Sequence, residues 1–154
     1  MKLLLCFTIL LSSMFASANE AQLGVILGST TGLSAKYDLG GDRAIDGALA
    51  YSLNSRYGFA FHVDYLFDNA RRFNVGNVSP LSLYYGLGVR VEEIRNRYYD
   101  ESSSTRLGIR APIGIHYRIN DPNLELFAEI VPVLDLTPRS DVSFDAGLGL
   151  RFVF

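Results

Sequence analysis

Phe144-Asp145-Ala146-Gly147-Leu148-Gly149-Leu150-Arg151-Phe152-Val153-Phe154, the last eleven residues, decide the reading of the chain. Phe144, Ala146, Leu148, Leu150, Phe152 and Phe154 alternate with Asp145, Gly147, Gly149, Arg151 and Val153. Successive side chains of a β-strand point to opposite faces. One face of this strand is therefore wholly apolar, and the other is mostly small or charged.

The same alternation recurs upstream. It predicts eight strands at about 21–28, 32–39, 44–53, 58–68, 80–93, 105–119, 124–136 and 142–154. Between them lie tight-turn residues: Ser29-Thr30-Thr31, Gly40-Gly41-Asp42, Asn54-Ser55-Arg56, Asn120-Asp121-Pro122-Asn123 and Thr137-Pro138-Arg139-Ser140. Two connections read as longer, Asn69 to Ser79 and about Arg95 to Ser104. The length of 154 residues suits one domain.

The amino end reads as a secretory signal peptide over 1–18, leaving a barrel domain at 19–154. Lys2 supplies the charge, Leu3 to Leu11 the apolar run and Ala16-Ser17-Ala18 the cleavage pattern. The apolar run falls short of the roughly 20 residues of a spanning helix. Cys6, the only cysteine, lies inside this segment, so the mature chain is expected to carry no thiol chemistry and no thiolate metal site. A formal charge of −2 gives no footprint for nucleic acid.

Parity divides the strands into two faces. One carries Leu33, Tyr37, Ile45, Leu49, Phe59, Phe61, Tyr65, Phe67, Leu87, Ile113, Ile130 and their neighbours, with no charge expected in the strand bodies. The other carries Lys36, Asp38, Asp46, His62, Asp64, Arg90, Glu92, Arg106, Arg110, His116, Arg118, Glu125, Glu129, Asp135, Asp145 and Arg151, interleaved with glycines. A soluble barrel or sandwich, such as a lipocalin, would turn the apolar face inward. Eight strands leave an interior only just wide enough for side chains, too narrow for so many Phe and Tyr rings. The small, charged face fits inside, and the apolar face then meets lipid. The expected fold is an all-β, eight-stranded antiparallel up-and-down transmembrane β-barrel.

The closing strand, with its terminal aromatic, resembles that of a bacterial outer-membrane barrel. The whole mature chain is similar to the transmembrane domain of OmpA-like proteins. More narrowly it resembles a bacterial family of short barrels, through Thr31-Gly32-Leu33-Ser34, Ala44-Ile45-Asp46-Gly47, His62-Val63-Asp64-Tyr65-Leu66, Tyr84-Tyr85-Gly86-Leu87-Gly88 and Arg110-Ala111-Pro112-Ile113-Gly114. The resemblance implies a Gram-negative outer-membrane location and outer-membrane lipid as the surrounding partner. It also implies recognition of the C-terminal strand, with Phe152 and Phe154, by the barrel-assembly machinery. It implies no known reaction. No periplasmic peptidoglycan-binding domain is expected after the barrel, unlike in full OmpA-like proteins. An even strand count puts both termini on the periplasmic side, with Tyr37, Tyr65, Phe67, Tyr117, Phe152 and Phe154 in the inner aromatic girdle. Tyr51, Phe59 and Phe144 fall in the outer one.

Candidate chemistry is sparse. His62-x-Asp64 could hold a metal or act as a catalytic pair. The expected role is instead an interior polar network of Lys36, Asp46, His62, Asp64, Arg90, Arg110, His116, Arg118, Glu125, Glu129, Asp145 and Arg151. Buried charges must be paired, because an isolated one costs several kcal/mol. No cofactor, metal or catalytic residue is expected. Outer-membrane lipid A deacylases resemble the chain in size, but no Ser, His and acid converge on its apolar face. The strand glycines Gly86 and Gly88 fail the context of a nucleotide loop and read as room for Arg90 or Arg110. Arg71 and Arg72 read as a basic pair in a connection. Arg97, Tyr98, Tyr99 and Asp100 form the candidate external loop, where an unknown protein ligand would bind if the chain were a binding barrel. A lipid-modifying outer-membrane enzyme and a small pore are the less favoured functions.

Overall fold

The computed structural model describes residues 20–51, 57–73, 81–95 and 103–154. Its strands are β1 (Ala21–Gly28), β2 (Gly32–Asp38), β3 (Arg43–Tyr51), β4 (Tyr57–Phe73), β5 (Leu81–Arg95), β6 (Ser103–Arg110), β7 (Ile113–Asn120), β8 (Asn123–Thr137) and β9 (Asp141–Val153). Each pairs antiparallel with its neighbours along the sequence, β6 and β7 both lying between β5 and β8, and β9 pairs back onto β1. The sheet is a closed barrel.

The single segment expected at 105–119 is two elements, β6 and β7. They form one stave nonetheless. Gly88 faces Arg110 and Tyr85 faces Ile113, without a shift in register. Arg110 faces Val133 and Ile113 faces Ile130, again in register. The interruption is Ala111-Pro112. Proline has no N–H to give the ladder, so only the Pro112 carbonyl is used, accepting from Gly86 N at 2.9 Å. The ring thus has eight staves.

Two connections need correction. The stretch from Asn69 to Ser79 is not all loop: β4 runs to Phe73, and Arg71 and Arg72 face Leu83 and Ser82 of β5. The alternation lapses there because β4 bulges. Asp68, Asn69 and Ala70 oppose the single residue Tyr84, and a bulge breaks period two while re-aiming side chains. β5 also continues to Arg95. Glu93 faces Phe59 and Arg43 faces Phe67, both rings exposed on the outer wall, so charges do stand on the apolar face.

That wall is otherwise the apolar set the alternation singled out. Leu87 is 62% exposed, Ile130 63% and Leu148 65%, whereas Arg110 and Asp64 are each 1% exposed. The barrel is inside-out relative to a soluble protein. At the rim carrying both termini, here the terminal rim, Phe67 stacks on Tyr85 at 5.3 Å and Phe152 meets Phe154 edge-on at 5.1 Å. Phe144 stands exposed toward the distal rim.

Candidate functional site

The candidate site is the lumen, where charged side chains meet in three tiers. The terminal tier centres on Glu125 of β8. Lys36 Nζ lies 3.1 Å from Glu125 Oε2 and 2.7 Å from Asp68 Oδ2. His116 Nε2 lies 2.9 Å from Asp68 Oδ1, and its Nδ1 lies 3.2 Å from Glu125 Oε2. Gln22 donates to the same carboxylate at 3.2 Å. Arg151 of β9 donates to Glu125 at 3.4 Å, to Asp46 at 2.7 Å and to Ser34 at 3.0 Å. Its guanidinium covers the Phe127 ring at 3.9 Å.

In the middle tier Arg110 bridges Asp64 at 3.0 Å and Glu129 at 3.2 Å, and Tyr84 donates to Glu129 at 3.0 Å. His62 is buried beside it, facing Arg90 of β5 and Ala48 of β3. In the distal tier Arg90 joins Asp135 and Asp145, each at 2.7 Å. Arg106 meets Glu92 at 3.5 Å closer to the distal rim. Arg118, expected inside the network, is a third exposed and pairs with Glu20 at the terminal rim. Its strand position places it at the mouth, where water replaces part of its pairing.

The luminal glycines form a repeated device. Asp64, Gly88 and Arg110 lie side by side on three adjacent strands, and the Asp64–Arg110 pair passes over the glycine. Arg90, Gly108 and Asp135 repeat it. So do Tyr84, Gly114 and Glu129, and Ser34, Gly24 and Arg151. A Cβ on Gly88 would strike the Asp64 carboxylate, and one on Gly114 the Tyr84 ring. The room expected for Arg90 and Arg110 is thus also room for their carboxylate partners. At these four places a polar pair two strands apart closes across a residue that has no side chain.

His62 and Asp64 share the luminal face but not a role. Asp64 is turned to Arg110, and no set of three His, Cys, Asp or Glu converges on a metal-sized site among the described residues. Asp68, Gln22, Ser34, Tyr84 and Phe127 belong to the lumen without having been expected there. Parity with Glu125 and Gly88 could have found Phe127 and Tyr84, and parity with His62 and Asp64 could have found Asp68. Arg97, Tyr98, Tyr99 and Asp100 lie outside the described residues, as do residues 1–18.

A closed antiparallel barrel with an apolar wall and a charged lumen is the class this architecture defines. A solved structure with which it shares the fold is the N-terminal β-barrel domain of Pseudomonas aeruginosa OprF, at 19% identity and a TM-score of 0.62, over 88% of this chain and 96% of that one. No protein-family model matches the sequence, and no curated protein does.

Proposed function

We propose that the chain is a structural, non-enzymatic barrel of the Gram-negative outer membrane, exported through a cleaved signal peptide and closed along its axis by its own ion pairs. The observation that carries this reading is the inversion of the barrel. Exposed Leu, Ile, Val and Phe side chains form the wall, while Lys36, Arg90, Arg110, Arg151 and their carboxylates are buried within it. An apolar wall of this kind is stable only against lipid, and a closed ring leaves no sheet edge unpaired there. The aromatic residues at the terminal rim suit an interfacial girdle. The resemblance to OmpA-like barrels supports the outer membrane, with Phe152 and Phe154 offered to the assembly machinery.

Cell fractionation with heat-modifiable gel mobility tests the location: a soluble, non-heat-modifiable protein would overturn it. Leu87→Arg tests the wall. A cation at mid-bilayer on a barrel's lipid face costs roughly 2–4 kcal/mol, so this variant should lose heat-modifiable protein while Leu87→Ile keeps it. Equal assembly of both would show that the wall does not face lipid. In planar bilayers at neutral pH the pure protein should give small, irregular events, and a large stable conductance would reject the closed lumen.

A further inference from the structure

We propose that the outer wall over β1 to β4 seats one glycerophospholipid of the leaflet at the terminal rim, its phosphate on Arg43 and one acyl chain in the hollow at Ala35 and Gly47. This goes beyond the structural role and rests on the lipid-facing reading of the wall.

The strand register builds the seat in three levels. At the rim Arg43 of β3 is exposed on the wall, beside Leu39 and Phe67. One wall position inward, Ile45 faces Tyr37 on β2 and Tyr65 on β4. At the next, Gly47 faces Ala35 and Val63, and Ala35 faces Leu23. Large side chains resume beyond it with Leu33, Leu49 and Phe61. Ala35 and Gly47 are thus a gap in a wall of large side chains. Two adjoining hollows open there, of about 740 and 580 Å³, with Leu23, Ala35 and Gly47 common to both. Each falls within the roughly 300–1,000 Å³ of small-molecule sites.

The order of chemistries along this column is that of a glycerophospholipid. Such a lipid presents an anionic phosphate at the surface, ester carbonyls below it and methylene chains below those. The wall offers a guanidinium, two phenols and an apolar hollow in the same order. Arginine suits the first level because its planar fork pairs bidentately with phosphate. Tyrosine suits the second, as an apolar ring with a hydrogen-bonding tip. The Tyr65 ring already stands edge-on to Phe67 at 5.6 Å, so this level is ordered before a lipid arrives. Arg43 and Gly47 lie four residues apart on β3, about 13 Å along the strand. Even on a tilted strand this exceeds the roughly 5–8 Å of one headgroup layer. The cation therefore stays at the surface while the hollow reaches the hydrocarbon. A second wall hollow, of about 550 Å³ at Ala128 and Ala146, lacks such a column, because β8 and β9 put no charged side chain on the wall.

The test refolds the mature protein in vesicles of phosphatidylethanolamine and phosphatidylglycerol and extracts it into a mild non-ionic detergent. Native mass spectrometry then counts the retained phospholipid. The wild type should keep one per barrel. Arg43→Gln should lower that retention roughly tenfold, the scale of one hydrogen bond to a charged group. Ala35→Leu, which fills the hollow, should lower it as far. Ala128→Leu, in the second hollow, should leave it unchanged. Dioleoylglycerol, which has the chains and no phosphate, should not be retained from the same vesicles. Heat-modifiable mobility confirms that each variant is folded. Retention unchanged in Arg43→Gln, or equal retention of dioleoylglycerol, overturns phosphate recognition and with it the seat. Retention unchanged in Ala35→Leu, or lost equally in Ala128→Leu, overturns the hollow as the chain site. An inserted wild type that keeps no phospholipid overturns the inference and leaves the lipid-facing wall standing. A wild type that never enters the vesicles overturns both.

Discussion

Glu125→Ala should be the most damaging single substitution in the lumen, removing most of the heat-modifiable form. Lys36, His116, Gln22 and Arg151 all converge on this one carboxylate from four other staves. Its loss strands cations where neither water nor lipid can solvate them. Breaking a buried pair by deleting one partner costs about 3–5 kcal/mol, and Glu125 serves more than one pair. Urea unfolding of protein refolded in lipid vesicles measures the effect. Glu125→Gln keeps the shape and removes the charge, so it separates packing from electrostatics. Stability of the alanine variant within about 1 kcal/mol of wild type would mean that the cluster is solvated and the lumen open.

Gly88→Ala should be comparably severe although it adds one methyl group. Its Cβ would fall on the Asp64 carboxylate, the Val63 carbonyl and the Asp64 Cα. Backbone cannot step aside as a side-chain tip can. The substitution must push β4 from β5 or expel Asp64 from Arg110. Overpacking costs about 1–3 kcal/mol, and the broken buried pair adds about 3–5 kcal/mol. Gly147→Ala is the control, because there the nearest atoms are side-chain carbons of Ile26 and Glu129. Urea midpoints should place Gly147→Ala near wild type and Gly88→Ala far below it. Equal midpoints would reject the idea that the pair must pass over an empty position.

Much of this fold is written in period two. Phe144 to Phe154 and the parity of Leu87 against Arg90 suffice to tell wall from lumen, because a strand has no third direction in which to point a side chain. Parity says nothing of how far along the axis a residue lies. That is why Arg118 reads as interior and is found at the mouth. Parity also fails at an irregularity. The bulge that precedes Arg71 makes Arg71 and Arg72 look like loop residues. Pairing partners are less legible still. Lys36 and Glu125 are 89 positions apart, and Arg151 and Asp46 are 105 apart, so only ring closure brings them together. The glycines hold a usable clue: Gly88, Gly108 and Gly114 each mark where a polar pair crosses.

Arg151 lies on β9, close to the end of the sequence, yet it serves Asp46 on β3, Ser34 on β2 and Glu125 on β8. A chain cut short before this residue could pair its first eight strands and still fail. Asp46 and Glu125 would be enclosed without the guanidinium that neutralises them. The barrel thereby inspects its own completeness: the carboxylates of the early strands are neutralised only once the last strand has zipped into place. Fragments from premature termination or proteolysis should stay outside the bilayer, within reach of degradation, instead of accumulating as defective rings.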